Sequence, residues 1–364
     1  MRIAQLIESD GPGGAERVVA DLATHLQAAG AQSVVFVPAK GEGWLARQLA
    51  GGGVTVETFH IDRPFSPACA RSLAAAFRRH RIEIAHSHEF SMAVYGAWAS
   101  WLAGVPHLVT MHGSRYYAGR LRRRVALRAA LAVSKRTIAV SNGLADHLGR
   151  DLWIPRPLIA MVSNGVRRAP PGPPALRHEL GLSPDDRLLV AVGNLYPVKG
   201  HCHLIEAVAL LAGAHPTLHV AICGRGDLAR SLATQARERG VASRVHLLGL
   251  RADVAAIVAA ADIFVMPSLS EGLPLALLEA MVAGCAIVAS AVGEVGAALD
   301  HGAAGVLVPP GDPRALAVAL ERLLKDPQLA RTLGARAACK AAAEYDVSTM
   351  VRHYRSIYDV ILTR

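Results

Sequence analysis

Two carboxylates, Glu271 and Glu279, lie with seven residues between them in an otherwise uncharged stretch, residues 267–284. The apolar run 263–266 reads as a buried strand, 268–273 as a polar turn, and Pro274 as the first position of a helix that Gly284 ends. Glu279 then stands about 7 Å of helix rise beyond Pro274. The unpaired N–H groups and positive dipole end of that helix point into the loop carrying Glu271. An anion site flanked by two acceptors suits a ligand with a diphosphate in its middle and hydroxyls at both ends, which is the layout of a nucleotide sugar. The plainer alternative is a solvated loop glutamate and a helix glutamate paired with an arginine.

Other residues have chemistry of their own. Lys199 follows the strand-and-loop run 192–198 and precedes Gly200, so a flexible ammonium is placed at a helix start, where it suits a diphosphate leaving group. Gly224, Arg225 and Gly226 end another strand. After the first strand, Gly13 and Gly14 open a helix and let backbone approach a ligand. The register Gly-x-Gly-x-x-Gly is not met there, because Ala15, Glu16 and Arg17 follow, so a dinucleotide-binding dehydrogenase is disfavoured. His86 and His88 share one side of a strand end, which would also describe a metal pair. No third ligand accompanies them and no Asp-x-Asp occurs in the chain. His112 ends the next strand, and Gly113 frees the backbone to present its imidazole. The alternative is a core histidine satisfied at a strand end.

Short β-branched runs alternate with alanine-rich helical stretches throughout, the pattern of parallel sheets covered by helices. The first series of strands is expected at 2–8, 33–37, 54–60, 82–88, 107–112, 137–141 and 159–163, the second at 188–192, 218–223, 245–248, 263–266, 286–289 and 305–308. The proline-rich run 167–174 reads as a linker. Two tandem doubly wound domains are therefore expected, 1–166 and 179–346, joined by a linker at 167–178. Such domains place ligands at the carboxyl ends of their strands.

At 364 residues the chain is long enough for two such cores. Hydrophobic residues make up 52%, yet no apolar run approaches the roughly 20 residues of a membrane span. The N-terminus runs straight into a strand pattern. A cytoplasmic, soluble or peripheral protein is expected. Five scattered cysteines argue against a disulfide framework. The formal charge is +10, and Arg115, Arg120, Arg122, Arg123, Arg124, Arg128, Lys135 and Arg136 concentrate part of it. No zinc-finger spacing or aromatic-basic RNA signature accompanies them, so no nucleic-acid partner is expected. An anionic membrane surface is, with a solvated helix face as the alternative.

The paired glutamates with the intervening Gly-Leu-Pro resemble the signature of the retaining glycosyltransferases of the large family four, which have the two-domain GT-B architecture. The resemblance spans nearly the whole chain and is most specific between residues 193 and 284. It implies that Glu271 contacts the donor sugar and Glu279 the ribose, while loop amides of the donor-binding run Gly272, Leu273, Pro274 and Leu275 hold the diphosphate. It further implies a Gly-Gly-x-Glu loop (Gly13, Gly14, Glu16) between donor and acceptor, an acceptor-side loop at His86 and His88, and His112 beside the reacting carbon of the transferred sugar. Arg251 would lie near the nucleotide base, and the helix over 347–364 would cross back onto the first domain.

Two departures stand out. The family's Gly-Arg-Leu reads Gly193-Asn194-Leu195 here, so Lys199 carries over and the second cation does not, and Arg225 is the candidate to replace it. The usual Gly-Gly-x-Pro-Glu ends in Gly296 and Ala297, so no role transfers to that loop. The expected reaction moves a sugar from a nucleoside-diphosphate sugar to a hydroxyl of a saccharide or lipid-linked acceptor, in cell-surface polysaccharide or glycolipid synthesis, without cofactor or metal. His112, Glu271 and Lys199 are the expected catalytic groups. The rivals are a nucleotide-sugar epimerase and a non-catalytic nucleotide-sugar-binding partner in an assembly complex.

Overall fold

A computed structural model describes residues 1–61, 65–113, 119–168 and 175–363. The chain divides into two units, Met1–Gly165 together with Val347–Arg364, and Val166–Asp346. The first unit is built on β1 (Arg2–Leu6), β2 (Gln32–Pro38), β3 (Thr55–Phe59), β4 (Ile84–His88), β5 (His107–Met111), β6 (Arg136–Ala139) and β7 (Ile159–Met161). All pair in parallel, in the order β3-β2-β1-β4-β5-β6-β7. The second unit carries β8 (Arg187–Val192), β9 (Leu218–Cys223), β10 (Val245–Gly249), β11 (Ile263–Met266), β12 (Ala286–Ser290) and β13 (Val306–Val308), also parallel, in the order β10-β9-β8-β11-β12-β13.

These strands are apolar on both faces because helices cover both faces. In the second unit the two-residue period of a strand sorts the side chains into two cores. Leu188, Val190, Phe264 and Ile287 pack in one, and Leu189, Ala191, Val265 and Val288 in the other.

Strand order reverses between β1 and β4 in the first sheet and between β8 and β11 in the second. Open α/β sheets bind ligands outside the carboxyl ends of their strands at such a reversal. The residues just beyond β1 and β4, and those just beyond β8 and β11, are therefore the places to look.

Two expectations are corrected. The linker was expected to run to residue 178, of which 169–174 lie outside the described residues, but a helix already begins at Ala175–Glu179 because Leu176 buries itself in the core of the second unit. Pro274 does not open its helix. It is the N-cap, with φ −74° and ψ 132°, and Leu275–Val282 is helical, since the Pro274 carbonyl accepts the first helical bond from Leu277 N–H at 3.1 Å. The C-terminal helix Val347–Leu362 belongs to the first unit, with Tyr354 and Tyr358 almost fully buried.

Candidate functional site

In the second unit, β8 and β11 end beside one another, and the loops beyond them are held by backbone contacts. Val192 leads into Gly193, whose N–H donates to Cys223 O at 2.9 Å, while Gly224 N–H donates to Gly249 O at 2.9 Å, so the ladder continues past the strand ends. A Cβ on Gly224 would lie 2.0 Å from Gly193 O, which is why no side chain fits there. The turn Pro197–Lys199 docks onto the β11 loop through Leu269 N–H donating to Val198 O at 2.8 Å. On the far side, Glu294 N–H donates to Gly272 O at 3.0 Å. Gly293 has φ +53° there, and a Cβ would meet Glu271 O at 2.0 Å. The lysine turn and the loop after β12 thus hold the glutamate loop from two sides through backbone contacts.

This packing brings Lys199 and Glu271 together: Nζ lies 2.6 Å from Oε1. Ser268 Oγ donates to the same Oε1 at 2.7 Å. The Lys199 side chain keeps 25% of its surface accessible and Glu271 10%. An ammonium has three donors, so Lys199 can hold Glu271 and still meet oxyanions. His201 opens the helix His201–Leu211, and its Nε2–H donates to Gly193 O at 3.2 Å. Burial drives its pKa down to about 4, so the ring is neutral and braces the Gly193 loop against the lysine turn.

Glu279 is part-buried on the helix Leu275–Val282, whose N-terminus no side chain caps. Gly272, Leu273 and Pro274 lead into it. Asn194 and Arg225 are both exposed at the ends of β8 and β9, and the Arg225 carbonyl accepts from Leu195 N–H at 2.9 Å. Arg251, expected near a nucleotide base, is held by ion pairs. Its guanidinium is gripped by Glu179 at 2.7 and 3.0 Å and by Asp253 at 2.8 Å through both Nε and Nη2. Those carboxylates make it an ion-pair hub of the second unit.

In the first unit, the corresponding edge gathers carboxylates and histidines. Glu16 is buried and folds back on the N-cap of the helix Gly14–Ala28, its Oε2 lying where a Cβ on Gly13 would be, 2.3 Å away. Glu8, just beyond β1, accepts from Ser91 N–H at 3.2 Å and so satisfies the first turn of the helix Glu89–Ala103. Glu89 takes a left-handed φ of +67° and accepts from His112 N–H at 3.1 Å. Burial first, and then the neighbouring Glu8 charge, push its carboxyl up to about 8, with a further push from Glu16 and a pull down from the His112 N–H. His112 is partly accessible, and enclosure of its ring lowers its pKa to about 4.

The reading of His86 and His88 as acceptor-side loop residues is overturned. Both belong to β4 and are fully buried. His86 spends its ring nitrogens on Tyr358 Oη at 2.7 Å and Thr110 Oγ1 at 2.8 Å, and His88 on His112 at 3.0 Å and Gln5 Oε1 at 2.9 Å. Desolvation holds both well below the ordinary histidine range. No set of three or more His, Cys, Asp or Glu able to hold a metal occurs among the described residues. Glu8, Glu89, Gln5 and Ser268 had been given no role. The sequence signal for Gln5 was a lone amide inside the apolar strand β1, and for Glu89 its place directly after His88.

Known proteins bear on both units. A family model for glycosyl transferases group 1 matches residues 174–340, and one for glycosyltransferase family 4 matches residues 12–169. The chain is 31% identical over 317 residues to a D-inositol 3-phosphate glycosyltransferase of Thermobispora bispora, covering 80% of this chain and 73% of that one. It is 28% identical over 270 residues to an Escherichia coli UDP-Gal:alpha-D-GlcNAc-diphosphoundecaprenol alpha-1,3-galactosyltransferase, covering 70% of each. The crystal structure of Anabaena HepE in complex with UDP-glucose shares the fold at a TM-score of 0.87, with 24% identity over 99% of this chain and 100% of that one. With the paired glutamates, the lysine turn and two parallel doubly wound sheets in place, the chain belongs to the family-four, group 1 glycosyltransferases of GT-B fold.

Proposed function

We propose that this glycosyltransferase moves a sugar, with retention, from a nucleoside-diphosphate sugar to a hydroxyl of a saccharide or lipid-linked acceptor. The observation that carries this reading is the Lys199–Glu271 pair at 2.6 Å beside the uncapped helix N-terminus at Leu275. Glycosyl transfer separates a departing diphosphate from an electron-poor sugar carbon. A cation with helix N–H groups stabilises the first, and a carboxylate positions the second. In this reading Glu271 holds the sugar, Glu279 the ribose hydroxyls, and Lys199 with the N–H groups of Gly272 and Leu275 the diphosphate. Arg225 supplies the cation that Asn194 does not, and His112 is the imidazole assigned to the transferred sugar. The Escherichia coli relative, which takes UDP-Gal to a lipid diphosphate sugar, and the Thermobispora bispora relative, which acts on D-inositol 3-phosphate, support a nucleotide-sugar donor and a hydroxyl acceptor. Release of free nucleoside diphosphate only when acceptor is present separates transfer from epimerisation and from passive binding. A thermal-shift panel of UDP-, GDP- and ADP-sugars then identifies the donor.

The acceptor reading extends to an anionic lipid surface. On the helix Leu121–Val133, Leu121 (74% exposed) and Val125 (61%) point outward among Arg120, Arg122 and Arg128, and Arg128 covers the exposed ring of Trp153 at 5.3 Å. Basic residues around apolar ones fit the interface of an anionic bilayer. Arg123 lies over Phe90 and Arg124 binds the Asp151 carbonyl, so the outward charges are fewer than the sequence suggests, and Arg115 lies outside the described residues. No helix of the described residues is long and apolar enough to cross a membrane. Replacing Arg120, Arg122 and Arg128 by glutamine should reduce sedimentation with anionic liposomes at low salt and matter less at high salt. Unchanged sedimentation would leave a solvated face only.

A further inference from the structure

A chain of buried hydrogen bonds runs from the C-terminal helix to His112, all of it within the first unit. Tyr354 Oη meets Thr110 Oγ1 at 3.1 Å, Thr110 meets His86 Nε2 at 2.8 Å, and His86 Nδ1 meets Tyr358 Oη at 2.7 Å. Gln5 Nε2 donates to Tyr358 Oη at 3.3 Å, and Gln5 Oε1 lies 2.9 Å from His88 Nε2. His88 Nδ1 then lies 3.0 Å from His112 Nε2. Gln5, His86, His88 and Tyr358 are fully buried and Tyr354 is 1% exposed. Water therefore does not supply alternative partners, and each link must be made by its neighbour.

A neutral imidazole has one N–H and one lone pair, so the direction of one bond fixes the next. A carboxamide oxygen accepts only. With the Gln5 amide oriented as here, Nε2 towards Tyr358 and Oε1 towards His88, His88 carries its proton on Nε2, which leaves His88 Nδ1 as a lone pair, and that lone pair accepts the N–H of His112 Nε2. The same logic runs the other way. The Tyr358 hydroxyl accepts from Gln5 and donates to His86 Nδ1, and the His86 proton on Nε2 reaches Thr110.

We propose that Gln5 and Tyr358 are positioning residues that fix the tautomer of His112, holding its proton on Nε2 and leaving Nδ1 as an unprotonated acceptor. On the reading of His112 as a group that meets the transferred sugar, its free nitrogen accepts a hydroxyl proton and does not donate one. Among the described residues, the titratable groups around His112 are His88 and His86 on β4, Glu89 at the start of the next helix, and Glu8 and Glu16 beyond Glu89. The low pKa of His112 keeps it neutral through the physiological range, so the tautomer persists there.

The test uses the full chain labelled with 15N-histidine. Two-bond 15N–1H correlation distinguishes the two tautomers, and the His112 signals are identified by their loss in His112→Gln. The proposal expects the Nε2–H pattern for both His88 and His112 in the wild type. In Gln5→Met, His112 should move partly to the Nδ1–H form, with kcat lowered about tenfold and donor KM little changed. Tyr358→Phe, which deletes one hydroxyl from a fully buried ring, should do the same more weakly. Because a buried amide is removed in Gln5→Met, equal near-ultraviolet circular dichroism is required before its signals are read. Tyr358→Phe carries the test if that variant fails to fold. A wild-type Nδ1–H pattern at His112, or an unchanged pattern in both variants, overturns the proposal. Full activity in His112→Gln instead overturns the role of His112 in transfer and leaves the tautomer to be judged by its own signals.

Discussion

Lys199→Met removes the ammonium and keeps the length of the side chain, so it isolates one charge. In the folded chain Glu271 loses its partner at 2.6 Å and retains Ser268 at 2.7 Å. A hydrogen bond to a charged group contributes about 1.5–3 kcal/mol, and the quarter exposure of Lys199 puts the stability loss near the lower end, about 1.5 kcal/mol. The effect on catalysis is larger. Diphosphate charge grows as the glycosidic bond breaks, and removing one preorganised electrostatic stabiliser costs about 2.7–4 kcal/mol, or about 10²–10³ in kcat. Steady-state kinetics with the donor varied at saturating acceptor should therefore show kcat falling by that factor while donor KM changes less than about threefold. The double variant Lys199→Met/Glu271→Gln is the control for an orphaned carboxylate. It should recover stability and not kcat. A defect confined to KM, or one that the double variant repairs, refutes the leaving-group role.

Glu279→Ala should weaken donor binding in calorimetry about tenfold or more, the cost of one charge-assisted hydrogen bond, and wild-type affinity would remove Glu279 from the ribose. Glu89 carries a pH signature. Its carboxyl titrates at about 8 in the folded chain and lower when unfolded, so the folded state holds an extra proton between those values and stability is lost as pH rises towards 8. Glu89→Gln should remove that slope, and parallel melting-temperature profiles of the two proteins from pH 5 to 8 would contradict it. Gly293→Ala places a Cβ 2.0 Å from Glu271 O at a left-handed φ, so it should cost about 1–2 kcal/mol from backbone conformation alone, and more from displacing the glutamate loop, read as a lower melting temperature with weaker donor binding. Normal values for both would mean the two loops yield to one another.

Patterning made the fold legible, because buried parallel strands are continuous apolar runs and the covering helices are alanine-rich. The start of the strand at 263–266 and the lysine turn at Lys199 could be placed from sequence for that reason. What stayed hidden depends on distance between strands. His86 and His88 look like ligands when only their spacing is visible. Their real partners, Gln5 on β1, Thr110 on β5 and Tyr358 near the end of the chain, become neighbours only when β4 is inserted between β1 and β5. Glu89 was equally silent, since its character comes first from burial and then from Glu8 and Glu16, each brought in from a separate element. The ion pairs of Arg251 were hidden in the same way. Its loop could be read, but Glu179, far away in sequence, claims the guanidinium.

The second unit begins at Val166 and ends at Asp346, and these two residues are joined by a parallel bridge, with Val166 N–H donating to Tyr345 O at 2.9 Å. Entry and exit are therefore side by side, and the unit is a closed cassette interrupting a chain whose own last helix lies beyond it. Among the described residues, the apolar clusters given for the second unit are built from its own side chains, and those given for the first from its own. A cassette with adjacent ends can be exchanged for another of the same kind by remaking two peptide junctions, at Gly165 and at Val347, without rethreading a sheet. Donor preference, if it resides in that unit, is then portable: a chimaera carrying a relative's residues between those junctions would inherit the relative's nucleotide sugar while keeping the Gln5, His88 and Tyr358 chain intact.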